Sequence, residues 1–298
     1  MAVGDRRARR RRPRRPGARR LGRRGGRGRG DAPAEAVTAA PGRTSVGAVS
    51  TAAASPLFDR VLAGAGPGSR LLDVGCGAGR LLADAAAAGL AVTGVDTEPR
   101  ALAAAERAAP GADLRVADAH ELPFADDAFD LVTLVQVLEH LTNPVLALRG
   151  AGRVCAPGGA VRATVWGTPD ECDAAVIGAA LAPLTGAAPA PPQNNPGPDR
   201  SGVGAPPLTD PRRLTRLAEL AGLVVREVAV VRVPVVHPDP DDLVAGVLAS
   251  GPGRHAARHA GPAAVRAALL DALAPFVHGD GYRLTDTVRV LDAAPPAR

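Results

Sequence analysis

The chain contains no lysine, and all 36 of its basic residues are arginine. Aromatic residues are almost as scarce, with four phenylalanines, one tryptophan and one tyrosine. A core must therefore be built from alanine, valine and leucine, and few rings remain as stacking platforms for bases. The three cysteines, Cys76, Cys155 and Cys172, stand far apart with no CxxC pair. That excludes a disulfide framework and a cysteine zinc site, and it favours a reducing compartment. Apolar runs are broken by Gly, Pro or charge before the ~20 residues needed to cross a bilayer. The arginine-laden start lacks the following apolar segment of about 7–15 residues that marks a secretory signal. Together these absences predict a soluble, cytoplasmic protein with no membrane partner.

The residues that are present are distributed unevenly. Fourteen arginines and one acid, Asp5, fall within residues 1–30, leaving 22 basic against 29 acidic residues in the remainder. The formal charge of +6 is thus a basic tail attached to a mildly acidic body. Residues 1–50, rich in Arg, Gly, Pro and Ala, predict a disordered tail. It reads better as a dispensable extension than as a nucleic-acid arm, because the acidic body lacks the footprint of a nucleic-acid enzyme. Residues 51–298 form the candidate folded domain.

In that domain strand and helix signals alternate. "RLLDVGC", "AVTGVD", "LRVADA", "FDLVTLVQ" and "AVRATVWG" read as apolar strands without polar alternation. Helical segments lie between them, among them "LLADAAAAGL", "EPRALAAAERAAPG" and Pro144 to Val154. Apolar strands separated by helices predict a parallel sheet covered on both faces. Residues 168–208 break the rhythm with a Pro/Gly/Asn-rich loop. "PRRLTRLAELAGL" then resumes as a helix and "VVREVAVVRV" as a strand. Two helical segments within 239–276 and a final strand, "YRLTDTVRVLDAAP", follow. The stretches 168–208 and 239–276 are candidate lid or substrate segments.

The stretch "LLDVGCGAGR" carries a buried strand into Gly75-Cys76-Gly77-Ala78-Gly79 and then a helix. Small residues let backbone approach a ligand, and a helix N-terminus adds free N–H groups. Asp96, at the end of the next strand, is placed to accept hydrogen bonds from ribose hydroxyls or to cap the helix after it. Asp118 ends the third strand, and Gln136 follows the fourth.

The set "LDVGCGAGR", "VTGVD", "ADAHELPFADDAFD" and "RVCAPGGAV" resembles the class I S-adenosylmethionine-dependent methyltransferases. The likeness is to the small-molecule branch similar to the ubiquinone and menaquinone biosynthesis enzymes, and it is strong over Leu71 to Trp166. It implies an α/β, doubly wound, mostly parallel seven-stranded Rossmann-like sheet with the last strand antiparallel, plus lid insertions. It implies S-adenosyl-L-methionine as cofactor and a small-molecule acceptor. By this resemblance Gly75, Cys76, Gly77, Ala78 and Gly79 form the cofactor loop, and Asp73 orients the methionine end. Asp96 with Thr97 meets the ribose, Asp118 the adenine amine, Ala119 the ring, and Gln136 borders cofactor and acceptor.

No catalytic residue is transferable, because the cofactor brings the reactive methyl and a base matters only for acceptors that must lose a proton. His140 is a pocket-lining group or such a base, and "LEHL" occurring with different acceptors favours lining. Trp166 is a substrate wall or core. "HPDPDD" near His237 reads as an acidic helix start, so no metal site is expected. Three alternatives stand beside this reading. An NAD(P)-dependent oxidoreductase would normally carry GxGxxG. A nucleic-acid methyltransferase would carry Asn/Asp-Pro-Pro-aromatic where this chain has "QVLEH". A non-catalytic cofactor-binding pseudoenzyme is the third. The sequence leaves the oligomeric state open.

Overall fold

Leu71, Leu72 and Val74 are buried on both sides of the strand they form, β1 (Arg70–Val74), which lies inside an eight-stranded sheet. The computed structural model describes residues 55–185 and 208–296. The tail expected over 1–50, and most of the Pro/Gly/Asn-rich stretch within 168–208, lie outside the described residues.

The other strands are β2 (Ala91–Asp96), β3 (Asp113–Val116), β4 (Phe129–Val135), β5 (Cys155–Trp166), β6 (Val224–His237), β7 (Val277–His278) and β8 (Gly281–Ala294). Their order is β3-β2-β1-β4-β5-β8-β6, with the two-residue β7 paired to β8. Strands β1 to β5 run parallel, whereas β8 is antiparallel to both β5 and β6. β6 therefore points the same way as β5. This is the doubly wound, mostly parallel sheet expected, with the last strand antiparallel and one short strand beyond the seven. The order reverses between β1 and β4, and a ligand crevice opens beyond the carboxyl ends at such a switch point.

The helices are α1 (Pro56–Leu62), α2 (Arg80–Ala87), α3 (Pro99–Ala108), α4 (Pro144–Val154), α5 (Ala175–Leu181), α6 (Pro211–Leu220), α7 (Pro240–Ala249), α8 (Gly251–Ala260) and α9 (Pro262–Ala272). Most carry proline in their first turn, where its missing N–H costs nothing. Side chains of Glu98, Asn143, Asp210, Asp239 and Ser250 cap α3, α4, α6, α7 and α8. Two helices escaped the sequence reading. α5 lies in the stretch read as loop. α8 begins Gly-Pro-Gly, a poor helical opening by propensity. Tertiary burial of Gly253 and Ala256, with the Ser250 cap, overrides that preference.

One face of the sheet packs on α4 and α6 through Val132, Leu134, Leu148, Val161, Leu214 and Leu291. The other packs on α2 and α3 through Leu71, Leu82, Leu102 and Ala105. The segments after β5 and β6 build a third core of their own. Ile177 and Leu181 of α5 meet Leu243 and Val247 of α7, Ala256 of α8, Val265 and Leu269 of α9, and Tyr282 and Leu284 of β8. This cap stands on a ribbon, because β8 pairs with β6 from Tyr282 onward but with β5 only from Val288. Asp173 and Asp286 tie its root to the sheet, taking the N–H groups of Thr285 and Ala174 at 2.7 and 2.9 Å.

At the amino edge the buried Arg162 donates to Asp292 at 2.9 Å and to the carbonyls of Val61 and Ala63. Asp292 also holds Arg226 and Arg60. A single carboxylate thus neutralises a largely buried guanidinium. The Asp292→Ala variant is expected to lose about 3–5 kcal/mol of unfolding free energy, the usual cost of stranding a buried charge. Urea denaturation of the two proteins measures it.

Candidate functional site

The site starts from the turn after β1. Gly75, Gly77 and Gly79 all adopt left-handed φ, at 71°, 53° and 77°. At Gly79 a Cβ would lie 2.7 Å from the Ala105 Cα, so glycine there lets the start of α2 press onto α3. At Gly77 a Cβ would meet nothing within 4 Å. Its backbone faces open space, and only its φ demands glycine. The loop is held from the neighbouring strand: Gly75 and Cys76 donate to the Val95 carbonyl, and Gly77 donates to Asp96 Oδ2 at 2.9 Å. The second oxygen of Asp96 accepts from Glu98 N–H at 2.9 Å. α3 is capped by Glu98, so Asp96 does not serve as its cap. It braces the turn before α3 and also faces the crevice, with a second acceptor position left on each oxygen.

A pocket of about 500 Å³ opens at the carboxyl ends of β1 to β4, lined by Gly75, Asp96, Thr97, Ala117 to His120, Val135 to Val137 and His140 to Thr142. Of the residues singled out in the sequence, Gly75, Asp96, Thr97, Asp118, Ala119, Gln136 and His140 converge on it. Gly77 and Ala78 continue the loop beside it. Cys76 is buried with its sulfur turned toward Gly94. Burial pushes its thiol up to about 12, so it is no nucleophile. Trp166 packs instead beside the cluster of Leu57, Phe58 and Val233, and its backbone N–H donates to Glu139 Oε1 at 3.3 Å.

Asp73 lies below the pocket, fully enclosed, and Thr133 Oγ1 sits 2.7 Å from its Oδ1. Burial pushes its carboxyl up to about 7, the Thr133 hydrogen bond opposing and the charge of Asp96 adding to the rise. The neutral acid can donate to Thr133 Oγ1 while that hydroxyl donates to the Leu72 carbonyl 3.3 Å away. No charge is then stranded.

Asp118 behaves oppositely. The backbone N–H of His120, and then its ring, both directed at Oδ1, hold its carboxyl below the usual range. Gln136 has a left-handed φ of 57°, strained for a side chain of its size. Its N–H donates to Thr164 Oγ1, yet both polar atoms of its amide are buried without a partner. Thr133, Thr164 and His120 carried no signal in the sequence, because their roles arise only where β4 meets its neighbours.

Elsewhere, His237 pairs with Asp242 at 2.9 Å and Asp239 caps α7, as the acidic-helix-start reading expected. Among the described residues no three ligating side chains gather for a metal, and no helix is long and apolar enough to cross a membrane. A second cavity of about 440 Å³ lies at the amino edge beside Arg162 and Arg226. Its guanidiniums are already engaged by Asp292 and by backbone carbonyls, so it is structural.

The enclosed carboxyl generates a pH test. A raised folded value means that the native state binds the proton more tightly than the unfolded chain. The stabilising contribution is complete below about pH 4 and is lost as pH rises through about 7. Asp73→Asn cannot ionise, so its stability relative to the parent should improve by about 1–3 kcal/mol between pH 5 and pH 8. Chemical denaturation at both pH values gives that difference directly.

Comparison with known proteins agrees with this geometry. Residues 72–163 match the methyltransferase domain family. Over 96 residues the chain is 42% identical to a demethylmenaquinone methyltransferase of Renibacterium salmoninarum, covering 32% of this chain and 40% of that protein. Over 129 residues it is 36% identical to a ubiquinone biosynthesis O-methyltransferase of Cereibacter sphaeroides, covering 41% and 52% respectively. The match thus spans about half the length of these curated relatives. A solved structure of a candidate methyltransferase from Bacillus halodurans superposes with a TM-score of 0.51 at 17% identity, covering 80% of this chain and 99% of that one. At that identity the likeness is one of fold.

Proposed function

We propose, for a chain whose residues 72–163 form a methyltransferase domain, that it is an S-adenosyl-L-methionine-dependent methyltransferase acting on a small-molecule acceptor. One observation carries the reading. Gly75, Asp96, Asp118 and Gln136 share a single pocket at the switch point of the sheet.

The donor set fits the cofactor. Asp96 offers each oxygen to the ribose hydroxyls while it holds the loop, and Thr97 stands beside it. Asp118 presents an ionised carboxylate to the adenine amine, and Ala119 is small enough to lie under a ring. The open face of Gly77 leaves room for the chain that joins sugar to sulfur. Bound there, S-adenosylmethionine supplies an activated methyl group. The protein's part is to hold donor and acceptor in line, and orientation of that kind contributes ~7–11 kcal/mol in favourable systems. Gln136 orients the acceptor side, and His140 lines it, serving as base only for an acceptor that must lose a proton.

The relatives' names favour a small, largely apolar ring compound as acceptor. The cap after β5 and β6 is assigned the closing of that side against water; the segment 187–205 lies outside the described residues. The described cap helices turn their apolar side chains toward one another. The closure is therefore that of a packed body and not of loose apolar helices. A pocket without stacking aromatics and an acidic body argue against nucleic acid. The basic tail is assigned no part in transfer, and the protein works in the cytoplasm.

Isotopically labelled S-adenosylmethionine offered with a panel of small metabolites should yield a product carrying the methyl mass shift. Calorimetry should show binding of S-adenosylmethionine and its demethylated product but not of NAD. Gly77→Val should abolish that binding at unchanged circular dichroism, since its side chain enters space that no protein atom fills. Tight NAD binding, or a Gly77→Val protein with parental affinity, would overturn the assignment.

A further inference from the structure

We propose that His120 is a positioning residue that aims Asp118 at the ligand's base and makes the site selective for an exocyclic amine. The proposal rests on the cofactor reading above. His120 Nδ1 lies 2.7 Å from Asp118 Oδ1, which also accepts the His120 backbone N–H at 2.8 Å. On the other side of the ring, the Asn143 N–H donates to Nε2 at 3.3 Å. A nitrogen that accepts carries no proton, so the hydrogen of the neutral ring sits on Nδ1 and points at Asp118.

The relay has two consequences. Oδ1 is taken up by two N–H groups, so Oδ2 is the oxygen left to receive a donor from the pocket. The ring also links the turn after β3 to Asn143, the residue that caps α4 by accepting the Leu146 N–H. Both of those segments wall the pocket, through Asp118 and Ala119 on one side and His140, Leu141 and Thr142 on the other. The imidazole therefore fixes both the direction of the carboxylate and the separation of the walls around it. An acceptor-only oxygen held in this way welcomes a 6-amino purine and repels a 6-oxo purine.

The test compares S-adenosylhomocysteine with S-inosylhomocysteine by calorimetry on the full chain. The ratio of the two affinities is the readout, because a loss of fold lowers both alike. The parent should prefer the amino form at least about tenfold, the scale of a hydrogen bond to a charged group. His120→Phe should reduce that preference toward unity. His120→Asn keeps a donor near the Nδ1 position and should retain most of the preference. His120→Gln reaches toward Asn143 without a donor for Asp118 and should lose it. Should the Phe variant fail to fold, the Asn and Gln proteins carry the comparison. A parent that fails to bind S-adenosylhomocysteine overturns the cofactor reading and the role of His120 with it. A parent that binds both compounds alike, or an Asp118→Asn protein as selective as the parent, overturns the aimed contact of Asp118 and the role of His120 while leaving the cofactor reading standing. A selective parent whose Phe or Gln variant is equally selective, or whose Asn variant loses the preference, overturns the role of His120 alone.

Discussion

The brace from Asp96 to Gly77 is the contact on which the site depends. A loop with three left-handed glycines has little to hold it, since glycine carries the largest conformational entropy to lose. Asp96 supplies the missing restraint from the adjacent strand, and the same carboxylate secures the turn into α3 through Glu98. Gly79 completes the arrangement by letting α2 lie against α3 at Ala105. The result is a rigid rim around space that the protein itself leaves open. Rigidity there serves the methyl transfer proposed above, which asks mainly for placement.

Charge is managed differently at the two edges of the sheet. At the amino edge Asp292 neutralises the buried Arg162 guanidinium and also pairs with Arg226. At the carboxyl edge acids lie close together without a compensating arginine in the pocket lining. Burial raises the Asp73 carboxyl to about 7, while the hydrogen bonds from His120 hold that of Asp118 below its usual range. An acid-lined crevice is consistent with the sulfonium- and amine-bearing ligand proposed above.

The cap is a second packed body and not a flap. Its apolar residues are consumed in a common core, and its base is anchored by Asp173, Asp286 and the Glu171–Arg289 pair. Arg289 is buried, and Glu171 is pulled down to about 2 by the backbone N–H and hydroxyl of Thr168 and by that arginine. In the function proposed above, acceptor choice is assigned to what the cap adds to the sheet.

Much of this was legible in the residues. Apolar strands without alternation, prolines at helix starts and glycines at alternate positions depend on local sterics, and local sterics are written in the chain. The convergence of Gly75, Asp96, Asp118 and Gln136 followed because parallel strands deliver their carboxyl ends to one edge. Three things depended on contacts between distant segments and could not be read. α8 forms against its own propensity because α7 and α9 bury it. Asp73 acquires a raised carboxyl only because β2 and β4 close around it and bring Thr133 within reach. His120 becomes a relay only when α4 begins beside it and Asn143 presents an N–H to its ring. Sequence determined which strands, turns and acids exist. The tertiary structure decided which acid is neutral, which is charged and which way each one points, because protonation and direction are set by neighbours far away in the chain.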